Sequence, residues 1–168
     1  MLQNRRIYLP PLSLIGPGAI NDLGEELKSL PHQKALFVTD KILVEIGIAK
    51  KVIEVLEASK IEVILFDDVQ PNPTTKNVEN GLKLLQENSC DFIITLGGGS
   101  PQDCGKAIGI LATNGGKIED YEGIHMTKHA SLPIIAINTT AGTASEVTIN
   151  YVITDEKRHI KMVMVDKN

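Results

Sequence analysis

Short apolar runs alternate along the chain with longer stretches in which apolar residues return every three to four positions. Ala35-Leu36-Phe37-Val38-Thr39, Glu62-Val63-Ile64-Leu65-Phe66, Asp91-Phe92-Ile93-Ile94-Thr95-Leu96 and Leu132-Pro133-Ile134-Ile135-Ala136-Ile137 predict four buried strands. Between them, Ile42, Ile46, Ala49, Ile53 and Leu56 trace one face of a single helix over Lys41 to Ser59. Gln70-Pro71-Asn72-Pro73 reads as a turn, after which Thr74 caps a helix carrying Val78, Leu82 and Leu85. Pro101 to Ala112 is a third helical stretch, and a further helix is expected from about Ala19 to Lys28. Strands alternating with helices of this length mean βαβ units, hence an α/β fold with a largely parallel, Rossmann-like sheet and flanking helices.

Two regions break the alternation. Leu12 to Ile15 is expected to form an edge strand. Ile149 to Thr154 and Ile160 to Val165 are β-like runs around Asp155-Glu156-Lys157-Arg158, which predicts a C-terminal β-hairpin. With no helix after that hairpin, residues 1–168 read as one dinucleotide-binding domain that stops early. Its length suits a single core, since a domain of about 150 residues buries roughly 70% of its unfolded surface.

Composition narrows the function classes. The net charge of −4 argues against a nucleic-acid partner, which leaves a basic footprint. Aromatic content of 4% with no tryptophan argues against base-stacking platforms. No run reaches the roughly 18 apolar residues of a membrane span. The polar start lacks the apolar core of a signal peptide, so a cytoplasmic location is expected. Cys90 and Cys104 have no CxxC spacing and are expected as reduced thiols. His32, His125, His129 and His159 read as surface residues. No catalytic residue and no metal ligand is assigned.

The densest chemistry lies at strand ends. Leu96-Gly97-Gly98-Gly99-Ser100-Pro101-Gln102-Asp103 follows a strand and opens a helix, the place where an α/β sheet presents free backbone N–H groups to a phosphate. Ser100 reads as helix cap or phosphate donor, and Pro101 suits the first helical position. Asp103 is counted with the cofactor residues, against helix capping as its plainer role. The spacing is not GxGxxG. Asp40, just past another strand, either meets a ribose or caps a helix. Thr139, Thr140, Thr143 and Ser145 give a hydroxyl-rich loop around Gly142 at the end of the fourth strand.

Gly97 to Asp103 together with Thr139-Thr140-Ala141-Gly142-Thr143 is similar to the iron-containing (group III) alcohol dehydrogenase family. Val38-Thr39-Asp40-Lys41 and Pro71-Asn72-Pro73 match in the same order. Glu146 to Asp155 resembles the lactaldehyde reductase and 1,3-propanediol dehydrogenase branch in particular. The resemblance implies that Asp40 meets the adenosine ribose and favours NAD over NADP. It implies that Asn72 and Pro73 line the nucleotide cleft, and that Gly98, Gly99 and Ser100 hold the pyrophosphate. Thr139, Thr140 and Thr143 would contact adenine, ribose or phosphate, while Val152 and Lys161 approach the nicotinamide half. Two positions depart from the family pattern: Asn138 stands where proline is usual, and Ala144 where many members have glycine.

The resemblance also implies an all-helical domain, absent from these 168 residues, whose aspartate and histidines bind a divalent metal, iron or zinc. The expected activity is therefore hydride transfer between NAD and a short alcohol, diol or aldehyde, with the isolated chain showing little or no turnover. A homodimer, or higher self-association, is implied through N-terminal strands. An inactive nucleotide-binding or oligomerising fragment is the alternative, and glycerol dehydrogenase-like or dehydroquinate synthase-like activity a further one.

Overall fold

The computed structural model of the chain describes residues 8–167. Four parallel strands, β1 (Lys34–Val38), β2 (Glu62–Phe66), β3 (Phe92–Gly97) and a fourth over Ile134–Asn138, form one sheet. Among the described residues five α-helices accompany it: α1 (Ala19–Lys28), α2 (Lys41–Glu45), α3 (Ile48–Ala58), α4 (Thr75–Glu87) and α5 (Gly99–Asn114). A two-residue strand β4 (Gly123–Ile124) precedes the fourth sheet strand, which is thus β5. The hairpin strands are β6 (Asn150–Asp155) and β7 (Ile160–Val165). The parallel sheet runs β2-β1-β3-β5, and β4-β7-β6 form a second, smaller sheet.

The alternation of side chains along β1 and β3 explains the layers. Leu36, Val38 and Ile93 face a cluster built with Val78 and Leu85 of α4 and Ile108 and Leu111 of α5. Ala35, Phe37, Phe92 and Ile94 face the opposite cluster, with Leu23 and Leu27 of α1 and Val52 and Leu56 of α3. Both faces of the sheet are covered, which is why its central strands are predominantly apolar. The hairpin joins the first cluster through Tyr151, Ile153, Met162 and Met164. It is tied to the 70–74 turn by the Thr154 N–H, which donates to the Pro73 carbonyl at 2.8 Å. Its own turn closes on Asp155, which accepts from the backbone N–H groups of Lys157 and Arg158 and from the Arg158 guanidinium. The guanidinium holds the Asp155 carboxyl below the ordinary carboxylate range.

Several expectations change. The single helix over Lys41 to Ser59 is two, because Gly47 adopts φ 78° between them. The stretch Leu12 to Ile15 forms no strand, and Leu12 and Ile15 stand 54% and 92% exposed. The third helix begins inside the glycines: Gly98 is its N-cap, so Ser100 lies within the first turn and does not cap, and Pro101 sits beyond the first helical position. Thr74 caps α4 as expected, with Asn77 completing a capping box.

Cys90 and Cys104 are unpaired and buried. Burial pushes the Cys90 thiol from its ordinary 9.0 up to about 11, and pushes Cys104 up as well. The folded chain thus holds these protons more tightly than the unfolded chain, so this stability is complete below pH 9.0 and is lost as pH rises through about 11. The urea midpoint of the wild type is expected to fall more steeply across that interval than that of the Cys90→Ala/Cys104→Ala variant. Equal slopes would overturn the assignment.

Candidate nucleotide-binding groove

The sheet order β2-β1-β3-β5 places the chain's reversal between β1 and β3, since the connection leaving β1 runs to β2 on one side and that leaving β3 runs to β5 on the other. Open α/β sheets bind ligands in the crevice beyond the carboxyl ends of such strands. A groove of about 480 Å³ opens there, lined among others by Asp40, Ile42, Asp68, Pro71, Gly98 and Ser100.

At the β1 end, Asp40 is the N-cap of α2, its Oδ1 accepting from the Leu43 N–H at 2.9 Å. That bond engages one carboxylate oxygen, and the residue still lines the groove. The two readings of Asp40 are therefore compatible. Asp67 and Asp68 line the same end, with Lys41 Nζ 3.1 Å from Asp68 Oδ1.

At the β3 end, the backbone is pressed between other groups. Gly97 has φ 148°, and a Cβ there would lie 2.6 Å from Pro101 Cγ. A Cβ on Gly98 would approach Thr140 Oγ1 to 2.9 Å, and one on Gly99 would approach Thr143 Cγ2 to 3.0 Å. The Thr139 N–H donates to the Gly97 carbonyl at 3.1 Å, continuing the β3–β5 register in which Gly97 opposes Asn138. The glycine turn and the threonine loop, some forty positions apart in sequence, form one contact. The Gly98 N-cap has no side chain to satisfy the first-turn N–H groups of α5, which leaves these donors for an anion.

The loop departures have visible consequences. Asn138 Nδ2 donates to the Thr140 carbonyl at 2.5 Å, bracing the position where the family pattern has proline. Ala144 adopts φ 54°, a conformation that suits the glycine of the pattern and costs an L-residue about 1–2 kcal/mol.

Other expected residues lie beside the groove. Asn72, at φ 58°, accepts from Lys161 Nζ at 2.7 Å, which joins the 70–74 turn to the hairpin. Pro73 is buried under the hairpin, and it is Pro71 that faces the groove. Asp103 neither faces the groove nor caps α5. Its Oδ1 accepts from Ser145 Oγ at 2.5 Å and its Oδ2 from the Val152 N–H at 2.9 Å. Burial pushes this carboxyl upward, while Ser145, Val152 and Lys106 pull it back.

Lys106 is a participant that sequence reasoning missed. Nζ reaches the Ser145 carbonyl and Oγ, the Thr148 carbonyl at 2.8 Å and the Asn150 carbonyl at 2.9 Å. Burial lowers its pKa, opposed by Asp103 and Glu146. The available signal was a lysine three positions after Asp103 on an otherwise apolar helix face. Among the described residues, no three His, Cys, Asp or Glu side chains come together to hold a metal ion, and no helix is long and apolar enough to cross a membrane.

The family model for iron-containing alcohol dehydrogenases matches residues 10–168, and the chain belongs to that family. It is 47% identical over 161 residues to alcohol dehydrogenase 4 of Schizosaccharomyces pombe, covering 96% of this chain and 38% of that protein. It is 47% identical over 163 residues to the lactaldehyde reductase of Escherichia coli K12, covering 96% and 43%. Its fold superposes on a crystal structure of a 1,3-propanediol oxidoreductase with a TM-score of 0.95 at 44% identity, covering 98% of this chain and 43% of the other. The chain thus spans about two-fifths of the length of the relatives it matches.

Gly97→Ala combines an unfavourable φ with a clash on Pro101, so an expected loss of about 1–3 kcal/mol should appear in urea denaturation. Adding Pro101→Ala removes the clash alone and should recover part of the loss. No recovery would show that the contact carries none of the cost.

Proposed function

We propose that this chain is the NAD-binding part of an alcohol or aldehyde oxidoreductase acting on a short alcohol or diol. The observation that carries the reading is the groove itself: an acidic residue at the end of β1 and a glycine-opened helix at the end of β3 flank one cleft at the sheet's reversal point. A dinucleotide needs a ribose acceptor and a pyrophosphate cradle at such a place. NAD, when bound, supplies hydride transfer.

The chain's own residues have distinct tasks in this reading. Gly98, Gly99 and Ser100 hold the pyrophosphate through backbone N–H groups and the Ser100 hydroxyl. Gly97 sets the turn's direction. Thr139, Thr140 and Thr143 close the far side of the cradle, where two of them already touch the glycines. Asp40 accepts from the adenosine ribose and repels a 2′-phosphate, with Asp67 and Asp68 adding negative charge at that end. Val152, Lys161 and Asn72 border the nicotinamide end, with Pro73 seating the hairpin that carries the first two.

The divalent metal that the family's name implies has no ligand cluster among the described residues, so no step is assigned to it. The chain alone is accordingly expected to bind NAD and to turn over little or no 1,2- or 1,3-propanediol, with or without added iron or zinc. A rate in this chain that rises with added metal would defeat that expectation.

Calorimetric titration with NAD and NADP tests the cofactor. NAD is expected to bind more tightly, and Asp40→Asn, which keeps a good helix cap, should cut the NAD preference by about tenfold or more. An unchanged preference would remove Asp40 from this role, and no binding of either nucleotide would overturn the proposal.

A further inference from the structure

Asp103 and Lys106 lie three positions apart on α5 and so project from neighbouring points of one helix face. Neither contributes to the groove lining, yet between them they bond to both segments that follow the threonine loop. Asp103 accepts from Ser145 and from the Val152 N–H of β6. Lys106 donates across the same stretch, to Ser145, Thr148 and Asn150. The Ser145 N–H donates in turn to Thr143 Oγ1 at 3.3 Å, and Thr143 packs on Gly99. Ser145, at the middle of this connection, is 4% exposed. A continuous path therefore leads from the phosphate turn, through Thr143, Ser145 and Asp103, to the backbone of Val152.

We infer that Asp103 and Lys106 are positioning residues that fix the Val152 segment of the hairpin at a set distance from the glycine turn, and so hold the nicotinamide half of the cofactor in register with its pyrophosphate. The inference rests on the cofactor reading above and deepens it. The path starts and ends on different parts of the dinucleotide. The phosphate turn belongs to α5, and the Val152 segment belongs to the hairpin. The hairpin has no backbone pairing to the parallel sheet among the described residues. Its placement rests on apolar packing, on the β4–β7 pairing and the Arg158–Glu122 ion pair, on the Pro73–Thr154 and Asn72–Lys161 bonds, and on this pair, which among the described residues alone hydrogen-bonds it to the first turns of α5. Apolar packing is weakly directional, so fixed position must come from bonds with definite geometry.

The test compares NAD with ADP, which shares the adenosine and pyrophosphate but lacks the nicotinamide riboside. In the chain, Asp103→Ala and Lys106→Met are each expected to weaken NAD binding about tenfold, the size of one lost charge-assisted bond, while ADP binding changes less than about twofold. Asp103→Asn, which retains an acceptor for the Val152 N–H, should recover most of the NAD affinity. A purely structural role predicts something different: partial unfolding lowers the apparent affinity for both nucleotides by the same factor. If Asp103→Ala does not fold, Ser145→Ala, which deletes one hydroxyl from the path, should show the same selective loss at about threefold. Wild type that binds both nucleotides, with variants that lose both equally or lose neither, overturns this inference alone. Wild type that binds neither overturns the cofactor reading and this inference with it.

Discussion

The architecture turns on a close approach between two stretches of chain: the backbone at Gly98 and Gly99 runs directly beneath Thr140 and Thr143, with no room for a Cβ between them. Because β3 and β5 are paired in parallel with Gly97 opposite Asn138, the two loops leave the sheet side by side and at the same level. Side chains on the first loop would hold them apart. Without side chains there, α5 begins directly at the strand end with uncapped N–H groups. The feature that lets the loops pack is thus the same one that leaves a helix N-terminus open to an anion.

Position in the sheet converts that local feature into a cleft. β1 and β3 are neighbours, but the connections leaving them diverge to opposite faces, as the two separate apolar clusters show. The diverging connections leave a gap above the strand ends, and the groove fills it. Its two ends differ in kind. The β1 end is rich in carboxylates, and the β3 end offers backbone N–H groups. A ligand with hydroxyls at one end and an anion further along fits this order, and the reverse order does not.

The strands were legible because burial on both faces forces continuous apolar, β-branched runs, and β1, β2 and β3 fall within a residue or two of the expected positions. The glycine turn and the threonine loop were legible as separate motifs for a related reason: three successive glycines, or a cluster of hydroxyls, at a strand end suit a close backbone approach or a polar ligand and little else. Their contact was not legible, because it depends on β3 and β5 being adjacent. Nor was the break at Gly47: the expected stripe counts Ile42 and Ile46 with Ala49, Ile53 and Leu56, but those two stand 66% and 60% exposed, and it is Leu43 that joins Ala49 and Val52 in the cluster. Periodicity carried over a glycine assumes an unbroken helix, and the left-handed φ at Gly47 changes which residues before it face the core. Leu12 to Ile15 carries the composition of a strand without a partner strand among the described residues. Asp103 and Lys106 were the hardest to read. Their partners lie about forty to fifty positions away, and a charged pair on a helix gives no hint of whether it meets solvent or a buried loop.

Ala144 shows how tightly the loop is determined. A left-handed alanine is retained only where neighbouring bonds leave the chain little alternative. Those bonds flank it on both sides: Asn138 holds the Thr140 carbonyl, Thr143 Oγ1 accepts from the Ser145 N–H, and Lys106 and Asp103 grip Ser145 from below. The residue before the strained position and the residue after it are both fixed, so φ at Ala144 follows from closure of the loop. A loop pinned in this way by side chains does not need proline at its start or glycine at its bend to hold its shape. This reconciles the two departures from the family pattern with a loop that still packs against the glycine turn.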